Sequence, residues 1–177
     1  MPLSDKREKY ESIVGKYKDS DDWDLLRYFL RGGYWRNFIA KYPETADMYS
    51  RMIHISRRLR NLRKKKKRVE EAEKKLYMGQ CNCPYWHGVF GGLYLNHLRY
   101  ATYKNLIDAD NLIETHINKN PEWTKIKSGD FDLDGREEIM LSNNKLKLFI
   151  KPDEGGMLYE LDVLNKGLNV LDTMTRR

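Results

Sequence analysis

The amino-acid sequence predicts an α+β protein, with a helical bundle of two or three long helices followed by an antiparallel β-meander, an incomplete β-sandwich. Two observations support this prediction. Apolar residues recur every three or four positions through two long stretches of the first two thirds of the 177-residue chain, which is the helical period. After residue 129, short alternating runs are separated by turns rich in Asn and Gly, which is the pattern of strands.

The N-terminal segment, residues 1–20, is polar and predicts only a short helix around Lys6–Val14. Ser20 is of the residue type that caps helix N-termini, and acidic residues follow it where the helix dipole favours negative charge. These signals predict a helix over Asp21–Leu30 that ends at the next pair of glycines. The aromatic stretch Tyr34–Phe38 is interpreted as an ordered connection, because a flexible linker would not carry so many large apolar groups.

A long apolar stripe with helical spacing runs over Met48–Leu76 and ends at Gly79. One position of the stripe is occupied by Lys66, so the pattern fits either one long helix or two helices that meet there. A second stripe covers Leu95–Ile117. We expect these helices to pack antiparallel, with the Cys81–Gly92 segment connecting them.

The strand signals lie in the last 50 residues, where Asn143-Asn144 predicts a hairpin turn. The predicted strands are Glu138–Ser142, Lys145–Ile150, Met157–Leu164 and Leu168–Met174. The expected organisation is a polar N-terminal segment at 1–20, a helical bundle domain at 21–118, a linker at 119–129 and the start of a β-sandwich domain at 130–177. A β-sandwich commonly needs roughly 100 residues, so we expect the last domain to be only the opening part of one.

Composition excludes several classes of protein. Hydrophobic residues make up 40% and charged residues 33% of the chain, which is typical of globular proteins. No apolar run approaches the ~18 residues of a membrane span, and the N-terminus has no apolar segment of a secretory signal. The two cysteines, Cys81 and Cys83, are too close for a mutual disulfide and are expected to be small buried side chains. The expected location is therefore the reducing cytoplasm.

Positive charge is concentrated in Arg57–Arg68, which has nine basic residues and no acidic ones, although the formal net charge of the chain is only +7. Such a run could neutralise nucleic-acid phosphates. Leu59 and Leu62 interrupt it at stripe positions and acidic residues follow it, which favours a solvated helix face. A basic nucleic-acid-binding helix protein is therefore kept as an alternative function only.

The segment Gly79–Gly92 is the densest in side chains that could bind a ligand. Its glycines and proline predict a tight path, and its polar and aromatic groups are those that bind sugars, with flat rings for C–H faces and amides for hydroxyls. The candidate substrate-binding residues are Gln80, Asn82, Tyr85, Trp86 and His87. The same composition is typical of a buried connection between helices, and the residues alone leave both interpretations open.

Three ordered segments resemble glycoside hydrolase family 57, the α-amylase and 4-α-glucanotransferase family. GQCNCPYWHGVFGGLYLNHLR, at 79–99, resembles the last shared motif of that family. RGGYWRNFIAKYPE, at 31–44, resembles the stretch that follows the catalytic barrel. DFDLDGREE, at 130–138, and the terminal LNVLDTMTRR resemble the start of the C-terminal β-sandwich domain.

The resemblance implies retaining hydrolysis or transfer of α-glucan chains by two carboxyl groups roughly 5–5.5 Å apart on an irregular β/α barrel. Those carboxyl groups lie upstream in the family, and we expect the chain to lack the barrel and to be catalytically inactive alone. Its expected function is to line the sugar cleft and dock on that barrel, with maltooligosaccharides bound through the parent enzyme. A helical module that docks on a separately encoded barrel or another protein is the alternative. Trp86 would stack on sugar, and His87 would bind hydroxyls or orient a barrel carboxylate.

Trp35 and Arg36 form a second candidate group. By the same resemblance, Trp35 would border the cleft and Arg36 would pair with a barrel carboxylate. The alternative is a domain-docking loop in which the arginine caps carbonyl groups, because aromatic residues in loops are as often packing residues as binding residues.

The acidic segment at 130–138 offers oxygen ligands at alternate positions around Gly135, which suits Ca²⁺. Position twelve of the pattern is Leu141, so the bidentate glutamate of an EF-hand is missing. An acidic turn that begins a strand is the alternative, and no cofactor is required for the expected function. The candidate ligands are Asp130, Asp132, Asp134 and Glu138.

Overall fold

The computed structural model describes residues 4–25, 33–65 and 69–174, which divide into two compact units, Met1–Tyr42 and Pro43–Arg177. The first unit contains helix α1 (Ser4–Tyr17), longer than the predicted helix, and helix α2 (Gly33–Lys41). Ser20 donates its hydroxyl to the Tyr17 carbonyl, 2.8 Å away. Residues 23–25 are helical, and the remainder of the predicted second helix lies outside the described residues.

The stretch 34–38, interpreted as an ordered connection, is helical and belongs to α2. Phe38 is buried and its ring lies 4.7 Å from that of Tyr42, to whose backbone N–H its carbonyl is hydrogen-bonded. Residues four apart share one face of a helix, so this aromatic pair favours the helical conformation.

The second unit begins with three helices, α3 (Pro43–Lys64), α4 (Glu70–Gly79) and α5 (Asn96–Ile117). The long stripe therefore forms two helices. Consecutive helices are antiparallel: Arg63 near the end of α3 pairs with Glu73 early in α4, and Gly79 at the end of α4 lies against Leu106 in the first half of α5. The apolar core is formed by buried side chains of the three helices, among them Met48, Ile55, Leu59, Leu62, Ala72, Leu76, Leu106, Ile107 and Ile113.

The predicted antiparallel meander is confirmed as one five-stranded sheet in the order β1-β2-β3-β4-β5. The strands are β1 (Thr124–Gly129), β2 (Glu138–Asn143), β3 (Leu146–Lys151), β4 (Met157–Val163) and β5 (Leu168–Asn169). The Asn143 turn is also confirmed, since its side-chain oxygen accepts the backbone N–H groups of Lys145 and Leu146, both at 2.8 Å. β5 is shorter than predicted and ends at Asn169.

Strand β1 lies in the segment predicted to be a linker. Its only large apolar side chain, Ile126, is 72% exposed, so the strand buries little and has almost no hydrophobic signal. Backbone pairing with β2 holds it in the sheet. The domain boundaries predicted from the sequence stay predictions.

The face of the sheet toward the helices is largely charged. Alternate residues of β2, β3 and β4 point to it, and its buried members are Glu138, Met140, Ser142, Lys147, Phe149, Lys151, Glu160 and Asp162. Arg51 of α3 reaches this face, with its guanidinium carbon 4.8 Å from the centre of the Phe149 ring. Among the described residues, no helix has the length and apolarity needed to cross a membrane.

Candidate functional site

The segment between α4 and α5, residues 80–95, is called the aromatic loop here. It contains two short 3-10 turns, Cys83–Tyr85 and Gly92–Tyr94. The Leu93 backbone N–H donates to the Trp86 carbonyl at 2.8 Å and ties the two turns together. Gly92 has a positive φ of 47°, and a Cβ atom there would lie 2.0 Å from the Trp86 carbonyl oxygen. Only glycine fits this position, so the path of the loop is set by backbone sterics.

Tyr85 holds the loop on the helices. Its side chain is buried and its hydroxyl donates to the Gly79 carbonyl at 2.6 Å, while its ring lies edge-on to Tyr49. Burial raises the pKa of the Tyr85 hydroxyl above its ordinary value. A buried, hydrogen-bonded hydroxyl is unsuited to direct contact with a sugar, so the geometry favours a positioning role for Tyr85.

Trp86 and His87 lie together at the surface. Their ring centres are 4.7 Å apart and their planes are inclined by 43°. Trp86 is partly buried and His87 is exposed, so the tryptophan is held while the pair still faces an open surface. Such a ring pair offers a flat apolar face beside a hydrogen-bonding group.

The sequence analysis did not single out Val89 and Phe90, which are 92% and 90% exposed beside this pair. They stand between Gly88 and Gly91, both with positive φ. Two apolar residues between glycines could have indicated an exposed turn in the sequence, because glycines are common in tight turns.

Gln80 and Asn82 are both exposed at the start of the aromatic loop. The Gln80 amide nitrogen lies 3.6 Å from the Met52 sulfur of α3. The prediction that the cysteines are buried is wrong, because Cys81 and Cys83 are exposed free thiols. The tight 3-10 turn buries Pro84 and Tyr85 and leaves these neighbouring side chains outside.

The far end of the aromatic loop is tied to the C-terminal segment. The Arg99 guanidinium donates to the Leu93 carbonyl at 2.7 Å and to the Asp172 carboxylate at 2.8 Å. Arg99 is buried, and its partner Asp172 lies beyond the last strand. Two of the segments singled out from the sequence, 79–99 and 168–177, therefore meet in the structure.

Trp35 and Arg36 belong to helix α2 of the first compact unit, where both side chains are exposed. The helix therefore presents them at its surface. Their predicted contact with sugar stays a prediction.

The acidic segment forms a closed loop before β2. Carboxylate oxygens of Asp130, Asp132 and Glu138 lie within 4.8 Å of one another, and of the described residues only these three form such a group. Glu138 accepts the backbone N–H groups of Phe131 and Asp132 at 2.6 and 3.1 Å. Asp134 instead accepts the backbone N–H of Arg136.

A cation of the protein already contacts this acidic loop. The Lys151 ammonium lies 2.7 Å from Asp132 and 3.6 Å from Asp47. Burial alone would lower the pKa of Lys151, but these two carboxylates raise it above its ordinary value. Ca²⁺ takes 6–8 oxygen ligands, and three carboxylates, one of them paired with a lysine, fit this requirement poorly. The geometry favours the acidic turn, and calcium binding stays a prediction.

A buried cluster of charges, missed from the sequence, joins the helices to the sheet. It consists of Arg51, Arg58, Asp110, Glu114, Lys147, Glu160 and Asp162, and is called the buried charge cluster here. Arg51 donates to Asp110 at 2.7 Å, to Glu160 at 2.8 Å and to Asp162 at 3.1 Å. Arg58 pairs with Asp110 and, at 2.6 Å, with Glu114. The sequence pattern that could have indicated this cluster is the presence of charged residues at helix-spaced positions between core residues.

The protonation of this cluster follows from its neighbours. Burial would raise the pKa of Asp110, but Arg51, Arg58 and Lys147 together hold it well below its ordinary value. Burial and the adjacent Asp162 carboxylate raise the pKa of Glu160 well above its ordinary value. Burial also raises the pKa of Asp162, although the Arg51 guanidinium beside it acts in the opposite direction. The cluster is enclosed and paired internally, which suits a structural role rather than a catalytic one.

The basic run divides between two environments. Leu59 and Leu62 are buried, and Arg58 turns inward to the buried charge cluster. Arg57, Arg60, Arg63 and two following lysines are exposed, and Arg63 pairs with Glu73. These described residues form a solvated helix face with an ion pair to α4, in line with the favoured interpretation.

Two family models match the chain. Residues 33–113 match the middle domain of α-amylase/4-α-glucanotransferase, and residues 130–177 match the C-terminal domain of the same proteins. The chain is 37% identical to Alpha-amylase 1 of Dictyoglomus thermophilum over 171 residues, which is 97% of this chain and 24% of that protein. It is 42% identical to an α-amylase of Pyrococcus horikoshii, over 93% of this chain and 24% of the relative.

A solved structure agrees with these matches. The crystal structure of 4-α-glucanotransferase from Thermococcus litoralis superposes with a TM-score of 0.68 and 38% sequence identity, covering 95% of this chain and 24% of that one. The chain thus spans about a quarter of the length of the relatives it matches.

Proposed function

Because the chain belongs to the α-amylase/4-α-glucanotransferase family, glycoside hydrolase family 57, we propose that it is a non-catalytic portion of an α-glucan-active enzyme. In this proposal the aromatic loop lines the sugar cleft, and the helical part docks on a catalytic β/α barrel. Maltooligosaccharides are the proposed ligands. Hydrolysis and transfer are both named among the relatives, and the proposal does not depend on which one the parent enzyme performs.

The surface placement of Trp86 beside His87 is the observation that carries the proposal. Sugar rings bind to exposed aromatic faces through their C–H groups, and nearby polar groups select their hydroxyls. Trp86 is partly exposed, and its neighbour Tyr85 anchors the turn through its hydrogen bond to Gly79. We assign stacking to Trp86, hydrogen bonding to His87, and secondary contacts to the exposed amides of Gln80 and Asn82.

Two further assignments belong to the docked enzyme. His87 would orient a barrel carboxylate if the sugar leaves its imidazole uncovered. Trp35 would border the cleft, and Arg36 would pair with a carboxylate of the barrel. The chain is proposed to be inactive alone, because the catalytic carboxyl groups of the family lie on the barrel. The carboxylates of the buried charge cluster do not replace them, since they are paired with cations and enclosed. The cytoplasmic location predicted from the sequence stays a prediction.

The test is a titration of the purified chain with maltoheptaose, followed by tryptophan fluorescence and by NMR. We expect weak binding, with Kd of roughly 1–10 mM, since one wall of a cleft supplies few contacts. Trp86→Ala should abolish the response, and Trp123→Ala, at another partly buried tryptophan outside the aromatic loop, should leave it unchanged.

An unchanged titration of Trp86→Ala, or no maltoheptaose response in the unmodified chain, would contradict the sugar-contact assignment. A reducing-sugar assay with soluble starch tests the other half of the proposal. Release of sugar that stays with the chain through further purification would contradict the non-catalytic assignment.

A further inference from the structure

Arg99, in the first turn of helix α5, is buried between the aromatic loop and the segment that follows the last strand. Its side chain makes two hydrogen bonds: Nη1 donates to the Leu93 carbonyl at 2.7 Å, and Nε donates to the Asp172 carboxylate at 2.8 Å. A guanidinium is planar and its donors keep a fixed angle to one another. Arg99 therefore holds Leu93 and Asp172 in one arrangement.

Leu93 transmits this arrangement to Trp86. The side chain of Leu93 is fully buried, its carbonyl accepts from Arg99, and its backbone N–H donates to the Trp86 carbonyl at 2.8 Å. Gly92, the preceding residue, leaves no room at this contact, since an added Cβ would lie 2.0 Å from the Trp86 carbonyl oxygen. A displacement of Leu93 would therefore move the backbone of Trp86, whose ring lies against that of His87.

At the other end, Asp172 is fixed to the sheet. The side-chain oxygen of Asn169, a buried residue of β5, accepts the backbone N–H of Leu161 in β4 at 3.3 Å and that of Leu171 at 3.0 Å. The Val170 N–H donates to the Leu161 carbonyl at 2.8 Å, and the Asp172 N–H donates to the Asn169 carbonyl at 3.4 Å. The sheet therefore sets the place from which the Asp172 carboxylate meets Arg99.

We propose that Arg99 and Asp172 are positioning residues through which the β-sheet sets the orientation of Trp86 and His87 for sugar binding. This inference rests on the proposed function of the aromatic loop. A site that makes few contacts gains affinity when its groups are held in the binding orientation before the ligand arrives. A contact that only stabilised the fold would leave the affinity for sugar unchanged when it is removed.

The test is Asp172→Ala in the full chain, followed by NMR of the isotope-labelled protein. This change removes the partner of Arg99 at a residue beyond the last strand. We expect amide hydrogen exchange at Leu93 to accelerate at least about tenfold more than exchange at Phe149, in the middle strand β3. The Trp86 indole N–H resonance should shift. The Kd for maltoheptaose should rise at least about fivefold, since the ring pair is no longer held in place.

Two further variants separate positioning from general effects. Asp172→Glu keeps a carboxylate for Arg99 and should return Leu93 exchange and the Kd to within about twofold of the unmodified chain. Asp153→Ala is the matched control, because it removes an exposed aspartate that also pairs with an arginine, Arg136, away from the aromatic loop. It should leave the exchange difference, the Trp86 resonance and the Kd unchanged.

An unchanged Kd in Asp172→Ala would overturn the proposal, whether or not the chain is less stable. So would equal acceleration of exchange at Leu93 and Phe149, or an effect of the same size in Asp153→Ala. If the unmodified chain gives no response to maltoheptaose, the proposed function itself fails. Leu93 exchange and the Trp86 resonance then decide alone whether Arg99 and Asp172 position Trp86: a change confined to the aromatic loop supports it, and no change overturns it.

Discussion

The ammonium nitrogen of Lys147, on strand β3, lies 2.5 Å from a carboxylate oxygen of Asp110, on helix α5, and both side chains are fully buried. This contact links the sheet to the helices through charge where most domains use apolar packing. Lys147 also lies 3.5 Å from Glu114, one helical turn further along α5. The helix–sheet contact in this protein is therefore organised by the buried charge cluster, and its stability should depend on keeping that cluster complete.

Replacing Asp110 by Asn should destabilise the chain by about 3–5 kcal/mol, because Arg51 and Lys147 would remain buried without their shared anion. Urea unfolding at neutral pH measures the loss. Asp108→Asn, two residues away, is the matched control: Asp108 is partly exposed and pairs with Lys75 and Lys104, so its loss should cost less than about 1 kcal/mol. Equal losses of unfolding free energy in the two variants would show that the buried charge cluster stabilises the fold no more than a partly exposed ion pair does.

His54 should make the fold sensitive to acid. Burial, together with nearby Arg51 and Arg58, lowers its pKa from 6.5 to about 3, although Asp110 acts in the opposite direction. The nearby Lys147 ammonium lowers the pKa of His54 further. Above pH 6.5 both folded and unfolded states hold a neutral imidazole. As the pH falls from 6.5 toward 3 the unfolded state takes up the proton first, so stability is lost by up to about 1.4 kcal/mol per pH unit.

Replacing His54 by Phe keeps an aromatic ring against Phe131, whose ring centre lies 5.2 Å away. Unfolding free energies of this variant between pH 7 and pH 4 should fall less steeply than those of the unmodified chain. His116→Phe, at an exposed histidine of α5, is the control and should follow the unmodified chain. A pH slope that His54→Phe leaves unchanged would show that other groups cause the acid sensitivity.

Gly92→Ala should disrupt the aromatic loop. Its Cβ would meet the Trp86 carbonyl at 2.0 Å in a backbone conformation of positive φ, so we expect a loss of at least about 3 kcal/mol, or an altered loop. Gly155→Ala also has a positive φ, 74°, but no atom lies within 4 Å of its Cβ, and it should lose only about 1 kcal/mol. Thermal unfolding and the tryptophan emission spectrum, to which Trp86 is one of four contributors, compare the two variants. A similar loss of stability in the two variants would mean that the backbone around residue 92 can move to accommodate the added methyl group.

Calcium should have little effect on the chain. Since Lys151 already neutralises Asp132, we expect millimolar CaCl₂ or EDTA to shift Tm by less than about 1 °C. MgCl₂ at the same concentration controls for ionic strength. A saturable, calcium-specific rise in Tm that Asp130→Asn removes would contradict this expectation and establish the calcium site predicted by the spacing of the acidic residues.

Local patterns were sufficient for much of the fold. The stripes at 48–76 and 95–117 predicted the long helices, and Asn143 predicted its hairpin, because these depend on the spacing of neighbouring residues. Strand β1 was missed because its side chains bury so little that backbone pairing alone determines it. The aromatic loop was located from composition, but the burial of Tyr85 and the exposure of Phe90 were not predicted.

The sequence by itself determined the helical stripes, the strands from β2 onward, the position of the aromatic loop and, through its motifs, the family. Only the tertiary structure decided which face of the sheet meets the helices. Alternation along β2, β3 and β4 identifies two faces but does not say which one is covered. Arg51 and Asp110 lie far from the strands in sequence, and their charges turn the polar face inward and leave the apolar face outside. Local spacing can place buried charges on a helix, but which distant charges they pair with is decided only when folding brings them together.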